Sequence, residues 1–187
     1  MNPVIFLLSI IFSLTSNSAS AQKTSAYKSA DYNILVQELN STLKSPWGMA
    51  FLPDKRLLIT EKSGILLIVS ADGKTIQARL TNLPKVTSDG QGGLLDVALD
   101  PNFTKNKTIY WSYAEAGIGK ENGLSGTAVA RGKLQNNALQ DIQVIYRQTP
   151  KVKGNGHFGS RLVFSADQAL LVTLGERQKF TPAQDIS

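Results

Sequence analysis

No cysteine occurs in the 187 residues. A disulfide framework, a thiolate metal site and a lipid anchor on an N-terminal cysteine are therefore all excluded. Histidine is almost as scarce. His157 is the single copy, which disfavours zinc and means that any catalytic imidazole in this stretch is His157. The apolar run at residues 4–14 is too short to span a hydrocarbon core of ~30 Å as a helix. Basic charge is in excess, with 20 Lys+Arg against 14 Asp+Glu for a net +6. It is scattered without a run, so no nucleic-acid-binding or membrane-surface patch is readable. With 42% hydrophobic and 18% charged residues, the composition is globular rather than disordered. The length suits one domain of roughly 150 residues.

What is present begins with an export signal. After Met1-Asn2-Pro3 and the apolar run, a small polar stretch ends in Ala19-Ser20-Ala21. That order fits a signal peptide over residues 1–21, although no Lys or Arg precedes the apolar run. A retained membrane anchor is the alternative reading. The mature chain would start near Gln22, with no stable membrane insertion, and a periplasmic or secreted bacterial protein is expected. Residues 22–33 are polar and read as a flexible leader.

From residue 34 onward β-type signals dominate. Residues 34–36, 47–52, 56–61 and 65–69 read as short strands, and Ser63-Gly64 and Asp72-Gly73 read as turns. The pattern recurs. Leu94-Leu95-Asp96-Val97-Ala98-Leu99-Asp100-Pro101 follows the scheme of Trp47-Gly48-Met49-Ala50-Phe51-Leu52-Pro53, and residues 161–167 open a third copy. Pro53 and Pro101 lie 48 residues apart, a period found in four-stranded propeller blades. Residues 127–134 and 143–147 complete the second unit, and residues 114–125 read as a loop insertion. Three units cannot close a ring, since propellers use about four to eight blades. The chain is therefore read as the N-terminal part of a longer all-β propeller. A complete small β-sandwich is the alternative.

Three loops carry candidate chemistry. Asp89-Gly90-Gln91-Gly92-Gly93 is either a tight connection or a place where backbone approaches a ligand. Lys153-Gly154-Asn155-Gly156-His157-Phe158-Gly159-Ser160-Arg161 presents the lone histidine, which is a general base, a hydrogen-bond donor or neither. Gly175-Glu176-Arg177-Gln178-Lys179 is either a solvated charged loop or part of the same site. All three fall at equivalent strand ends, which a propeller gathers on one face.

The run Ser45-Pro46-Trp47-Gly48-Met49-Ala50-Phe51-Leu52-Pro53-Asp54, the stretch Gly90-Gln91-Gly92-Gly93-Leu94-Leu95-Asp96 and the stretch Gly156-His157-Phe158-Gly159-Ser160-Arg161 with Leu174-Gly175-Glu176-Arg177 together resemble a known family. It is that of the soluble pyrroloquinoline quinone (PQQ)-dependent aldose sugar dehydrogenases, the glucose/sorbosone dehydrogenases. The resemblance implies a six-bladed, four-stranded β-propeller. Residues 34–187 would supply about its first three blades. It further implies oxidation of an aldose at the anomeric carbon to a lactone, with hydride passing to the quinone and electrons to an external acceptor.

By the same resemblance, His157 matches the general base, and an imidazole with an ordinary pKa of about 6.5 suits that task. Gln91 matches a cofactor-contacting glutamine. Arg177 and Lys179 are candidates for the cofactor's carboxylates. Where some members carry an acidic residue just before the histidine, this chain has Gly156. The family's calcium ligands, which complete quinone binding, are expected beyond Ser187, so no metal ligand is assigned here. This stretch by itself is expected to be inactive and aggregation-prone. Two alternatives stay open: a calcium-dependent propeller lactonase using Asp89, Asp96, Asp100 or Glu176, and a non-enzymatic binding propeller.

Overall fold

The computed structural model describes residues 23–185; the expected signal peptide at 1–21 lies outside the described residues. Among them, no helix is long and apolar enough to cross a membrane. The chain divides into two units, with the boundary between Glu38 and Leu39.

In the first unit, β1 (Thr24–Lys28) pairs antiparallel with β2 (Asn33–Gln37), matching Tyr27 with Ile34 and Thr24 with Gln37. The stretch read as a flexible leader over 22–33 therefore contains a strand. Polar, largely exposed residues suffice for it, because the hairpin ladder satisfies the backbone and asks little of a core. The Ile34-Leu35-Val36 strand expected to open the propeller domain is the partner in this hairpin.

The second unit begins with a four-stranded antiparallel meander: β3 (Pro46–Phe51), β4 (Leu57–Glu61), β5 (Ile65–Val69) and β6 (Ile76–Leu80). Its last strand escapes the sequence reading because Gln77 and Arg79 interrupt the apolar run, as alternation on a half-exposed strand requires. A second sheet is built in the same order from β7 (Leu94–Leu99), β8 (Thr108–Ala116), β9 (Ser125–Gln135) and β10 (Ala138–Arg147). The one-turn α1 (Phe103–Asn106) joins its first two strands. The expected loop at 114–125 is shorter than read, since β8 runs to Ala116 and β9 starts at Ser125. A third sheet contributes β11 (Gly159–Phe164) and β12 (Leu170–Leu174). The described residues thus hold two four-stranded blades and two strands of a third.

The inner strands decide the stacking. β4 is buried along its whole length, and β5 is buried from Leu66, so both need apolar residues on both faces. Leu58, Leu66 and Ile68 of the first blade share one core with Leu94, Val97, Ile109, Trp111 and Tyr113 of the second. Each fully buried large aliphatic side chain is worth about 1.5–3 kcal/mol.

Repeated hydroxyls then stitch blade to blade. Thr60 Oγ1 on β4 accepts the Gly48 amide at 2.8 Å and donates to the Leu95 carbonyl of the next blade at 2.5 Å. Ser112 Oγ on β8 accepts the Asp96 amide at 3.0 Å and donates to the Ser160 carbonyl at 2.6 Å. Thr173 Oγ1 on β12 accepts the Arg161 amide of β11 at 2.9 Å, the equivalent bond within the third sheet. The hydroxyls are buried at Thr60 and Ser112, where an unmade bond would cost more than a made one gains.

Asp96 adds a further tie. Its carboxylate is buried, accepts the Leu162 amide at 2.8 Å and pairs with Arg161 Nη1 at 3.0 Å. These ties fix the start of β11, and with it the loop that carries His157.

Candidate active site

The three candidate loops meet at one end of the sheets. Gln91 precedes β7, His157 precedes β11, and Glu176 follows β12. His157 lies two residues before Gly159 and Glu176 two residues after Leu174, and Gly159 and Leu174 are register partners. An antiparallel ladder extended past its end sets such residues opposite each other.

His157 adopts φ 47°, a left-handed conformation uncommon outside glycine, and neighbouring segments hold it there. Its backbone N–H donates to Gln91 Oε1 at 2.8 Å, and its carbonyl accepts the Arg177 amide at 3.3 Å. The Gln91 amide in turn donates to the Asn155 carbonyl at 2.7 Å. A side chain is not tolerated at Gly90, where an added Cβ would lie 2.5 Å from the Asn155 oxygen at φ 54°. From the opposite side, Thr127 Oγ1 donates to the Phe158 carbonyl at 2.7 Å.

The ring is held as well. Glu176 Oε1 hydrogen-bonds His157 Nδ1. The other carboxylate oxygen of Glu176 accepts the Lys179 amide and, at 2.8 Å, the Phe180 amide. These bonds, the one to His157 foremost, hold the Glu176 carboxyl below the ordinary carboxylate range. His157 Nε2 has no hydrogen-bond partner among the described residues, and the side chain is 44% exposed. A carboxylate on Nδ1 fixes the ring's orientation and tautomer and leaves the other nitrogen free to exchange a proton.

His157 lines two clefts. One of about 360 Å³ is shared with Trp47, Lys62, Gly90, Gln91 and Phe158. The other, about 640 Å³, is bordered by Glu176, Leu174, Pro182 and Ala183. Trp47 is half-exposed, with the Arg161 guanidinium 5.0 Å from its ring centre.

The sequence-predicted residues fall into place unequally. Gln91 and His157 touch. Lys179 is exposed near the Glu176 carboxylate, which its backbone amide helps to hold.

Arg177, named as a candidate for the cofactor's carboxylates, is buried and bonded to protein atoms. It is 1% exposed, and its Nε, Nη1 and Nη2 donate to the carbonyls of Gly156 (2.8 Å), Ser125 (2.7 Å) and Gly154 (2.5 Å) and to Ser125 Oγ (3.0 Å). Four of the five N–H donors of a guanidinium are thus committed to protein atoms. Burial lowers its pKa from the ordinary arginine value, yet an arginine stays charged in proteins.

One residue escaped the sequence reading. Lys62 lies in the smaller cleft, with its ammonium on the Gly90 carbonyl at 2.5 Å. Glu176 reads in sequence as part of a charged loop at the site or as a metal ligand, and its pairing with the His157 ring emerges only from the β11–β12 register. The acidic residues named for a lactonase do not converge. Asp96 is spent on β11, and Asp100 holds the turn around α1 through Asn102 and Asn106. No group of three or more His, Cys, Asp or Glu able to hold a metal exists among the described residues.

Residues 43–187 match the Glucose / Sorbosone dehydrogenase family. This chain belongs to that family. It is 40% identical over 166 residues to the aldose sugar dehydrogenase YliI of Escherichia coli, covering 87% of this chain and 44% of that protein. The apo-form structure of the soluble aldose sugar dehydrogenase from Escherichia coli superposes with a TM-score of 0.68 at 41% identity, covering 75% of this chain and 40% of the other. The PQQ-bound aldose sugar dehydrogenase of Streptomyces coelicolor superposes with a TM-score of 0.68 over 88% of this chain and 45% of the other, at 24% identity, a likeness of fold. The chain spans less than half the length of these relatives. The chain is therefore part of an all-β propeller, with two four-stranded blades and two strands of a third among the described residues.

Proposed function

We propose that this chain carries the proton-accepting half of a PQQ-dependent aldose dehydrogenase active site, set in a six-bladed propeller exported to the periplasm or secreted. The observation that carries the reading is the engagement of His157. Its N–H, its carbonyl and Nδ1 are bonded to Gln91, Arg177 and Glu176, and Nε2 has no partner among the described residues.

His157 Nε2 takes the proton of the anomeric hydroxyl as the C–H bond at the same carbon breaks, giving the lactone. Glu176 stabilises the imidazolium so formed and keeps the ring from rotating. A fixed imidazole needs no reorganisation in the transition state, and such preorganisation accounts for much of the rate enhancement in many enzymes.

The donor set beside His157 suits a flat anionic quinone. It offers the Lys62 ammonium, the Gln91 amide and glycine backbone at Gly90 and Gly92 that admits close approach. Lys62, Gln91 and Lys179 would hold the cofactor. PQQ, when bound, supplies the two-electron acceptor for the departing hydride, which an external electron acceptor then reoxidises. Among the described residues no group of three or more His, Cys, Asp or Glu could hold calcium.

The aldose substrate, the cofactor and the acceptor belong to the complete reading frame carrying this chain. Alone, the 187 residues are expected to be inactive, with Met49, Phe51, Val163 and Leu171 all exposed on the sheets. The test is reconstitution of the complete protein with PQQ, with and without calcium, followed by dye reduction over a panel of aldoses and identification of the product. Lactone formed only with both quinone and sugar supports the reading. A protein that binds no quinone and oxidises no aldose overturns it.

A further inference from the structure

That reading uses only the backbone amide of Arg177, yet its side chain is buried and makes four hydrogen bonds beside His157. Its guanidinium lies under the loop, 3.7 Å from the centre of the buried Phe158 ring. It gathers three segments distant in sequence. Ser125 begins β9 and is bridged to Val152. Gly154 and Gly156 flank the turn before His157. Arg177 itself follows β12. Ser125 Oγ also donates to the Gly154 carbonyl at 3.0 Å, so the hydroxyl and the guanidinium converge on one oxygen.

The adjacent residues Glu176 and Arg177 act in opposite directions, Glu176 on the ring and Arg177 on the backbone. Both Arg177 and Gln178 have positive φ, 58° and 60°, which curls the chain so that neighbouring side chains can do this. The Gly154 and Gly156 carbonyls, aimed at the buried guanidinium, are satisfied by a charge that cannot be lost.

We infer that Arg177 is the positioning residue of the active-site loop: a buried cationic staple that sets where His157 stands, acting through the carbonyls of Gly154 and Gly156 rather than through the cofactor. The inference rests on the proposed role of His157 for its effect on rate, but not for its effect on loop order. Lysine cannot replace it well, because one ammonium cannot reach three carbonyls and a hydroxyl in the plane of a guanidinium. Ser125 is its partner, and loss of that hydroxyl should give a weaker form of the same defect.

The experiment uses the complete protein with Arg177→Met, Arg177→Lys and Ser125→Ala. Amide hydrogen exchange at residues 154–158 is read without cofactor, and quinone affinity, kcat and KM are read with it. In Arg177→Met, exchange at the His157 amide, held by Gln91, should accelerate at least about tenfold through local opening. The kcat should fall about 100-fold, the scale of a misplaced catalytic group, while quinone affinity changes by less than about threefold and KM little. Arg177→Lys should recover part of kcat, and Ser125→Ala should shift both readouts the same way by a smaller factor.

Should Arg177→Met fail to fold, the other two variants carry the same comparison. Weakened quinone binding with kcat intact at saturation would make Arg177 a cofactor ligand and overturn the inference. Unchanged exchange with unchanged kcat would overturn it too. If the wild-type protein oxidises no sugar, the proposed function fails, and the exchange arm still decides whether the staple exists.

Discussion

The side-chain carbonyl of Gln91 accepts the backbone N–H of His157 at 2.8 Å. Through this bond the loop before the second blade fixes the loop before the third. The relationship gives Gln91 a task besides the proposed cofactor contact, and the two tasks separate under mutation. Gln91→Glu keeps an acceptor for the amide, whereas Gln91→Leu does not. Gln91→Leu should lower kcat about 2- to 13-fold more than Gln91→Glu, given the net worth of one hydrogen bond of about 0.5–1.5 kcal/mol. Steady-state kinetics on the two variants checks this. Equal losses would place the residue's weight on the ligand alone.

Glu176 should govern the tautomer of His157. Glu176→Gln retains a side chain of the same shape and removes the charge. Neutralising a carboxylate that orients a catalytic imidazole costs up to about 10⁴-fold in kcat in the serine-protease example. A loss between about 10² and 10⁴ is expected here, with KM little changed. ¹⁵N spectra of the imidazole should show the Nδ1–H tautomer depleted in the variant.

The same carboxylate gives the loop an acid limit. Its pKa is lowered in the folded protein, first by the bond to His157. A group with a depressed folded pKa stabilises above its unfolded value, ordinarily 4.5, and that stabilisation is lost as pH falls through the lower folded value. Exchange protection of the Lys179 and Phe180 amides should therefore be full at neutral pH and fade only below about pH 4.5. Fading between pH 6 and 8 would contradict the assignment.

Asp96 should be a stability residue. Asp96→Ala strands the Leu162 amide and frees the Arg161 guanidinium, whose side chain is 59% exposed. The dominant cost is the buried amide, so a loss of about 1–3 kcal/mol is expected. Ser112→Ala, which strands the Ser160 carbonyl and the Asp96 amide, should cost a similar amount. Denaturant midpoints of the complete protein measure both. A change within about 0.5 kcal/mol, the range of ordinary surface substitutions, would contradict the stitching role.

The blade repeat was legible because the same physics recurs at the same spacing. An apolar inner strand, a Pro/Asp turn and a second apolar strand appear around Pro53 and again around Pro101. The hydroxyls at Thr60 and Ser112 belong to that repeat, but a serine or threonine inside an apolar strand does not announce which carbonyl it will meet. The loops of Gln91 and His157 were legible as glycine-rich interruptions at equivalent strand ends.

What was not legible is which partner each charge takes. Arg177 reads in sequence as a cation free to meet an anion, since backbone carbonyls from Ser125 and Gly154 leave no mark on its neighbourhood. Glu176 reads as a solvated acid until the β11–β12 register sets it across from His157. The strand at Thr24–Lys28 was hidden because a two-stranded hairpin needs no apolar face to pair its backbone.

The central claim is that His157 is the base in a PQQ-dependent sugar oxidation. The most direct test is His157→Asn in the complete protein, reconstituted with PQQ and assayed with an aldose and a dye acceptor. Loss of the base should lower kcat by about 10²–10⁴-fold, the usual worth of general base catalysis, with quinone binding retained. A variant that keeps the wild-type rate would contradict the account.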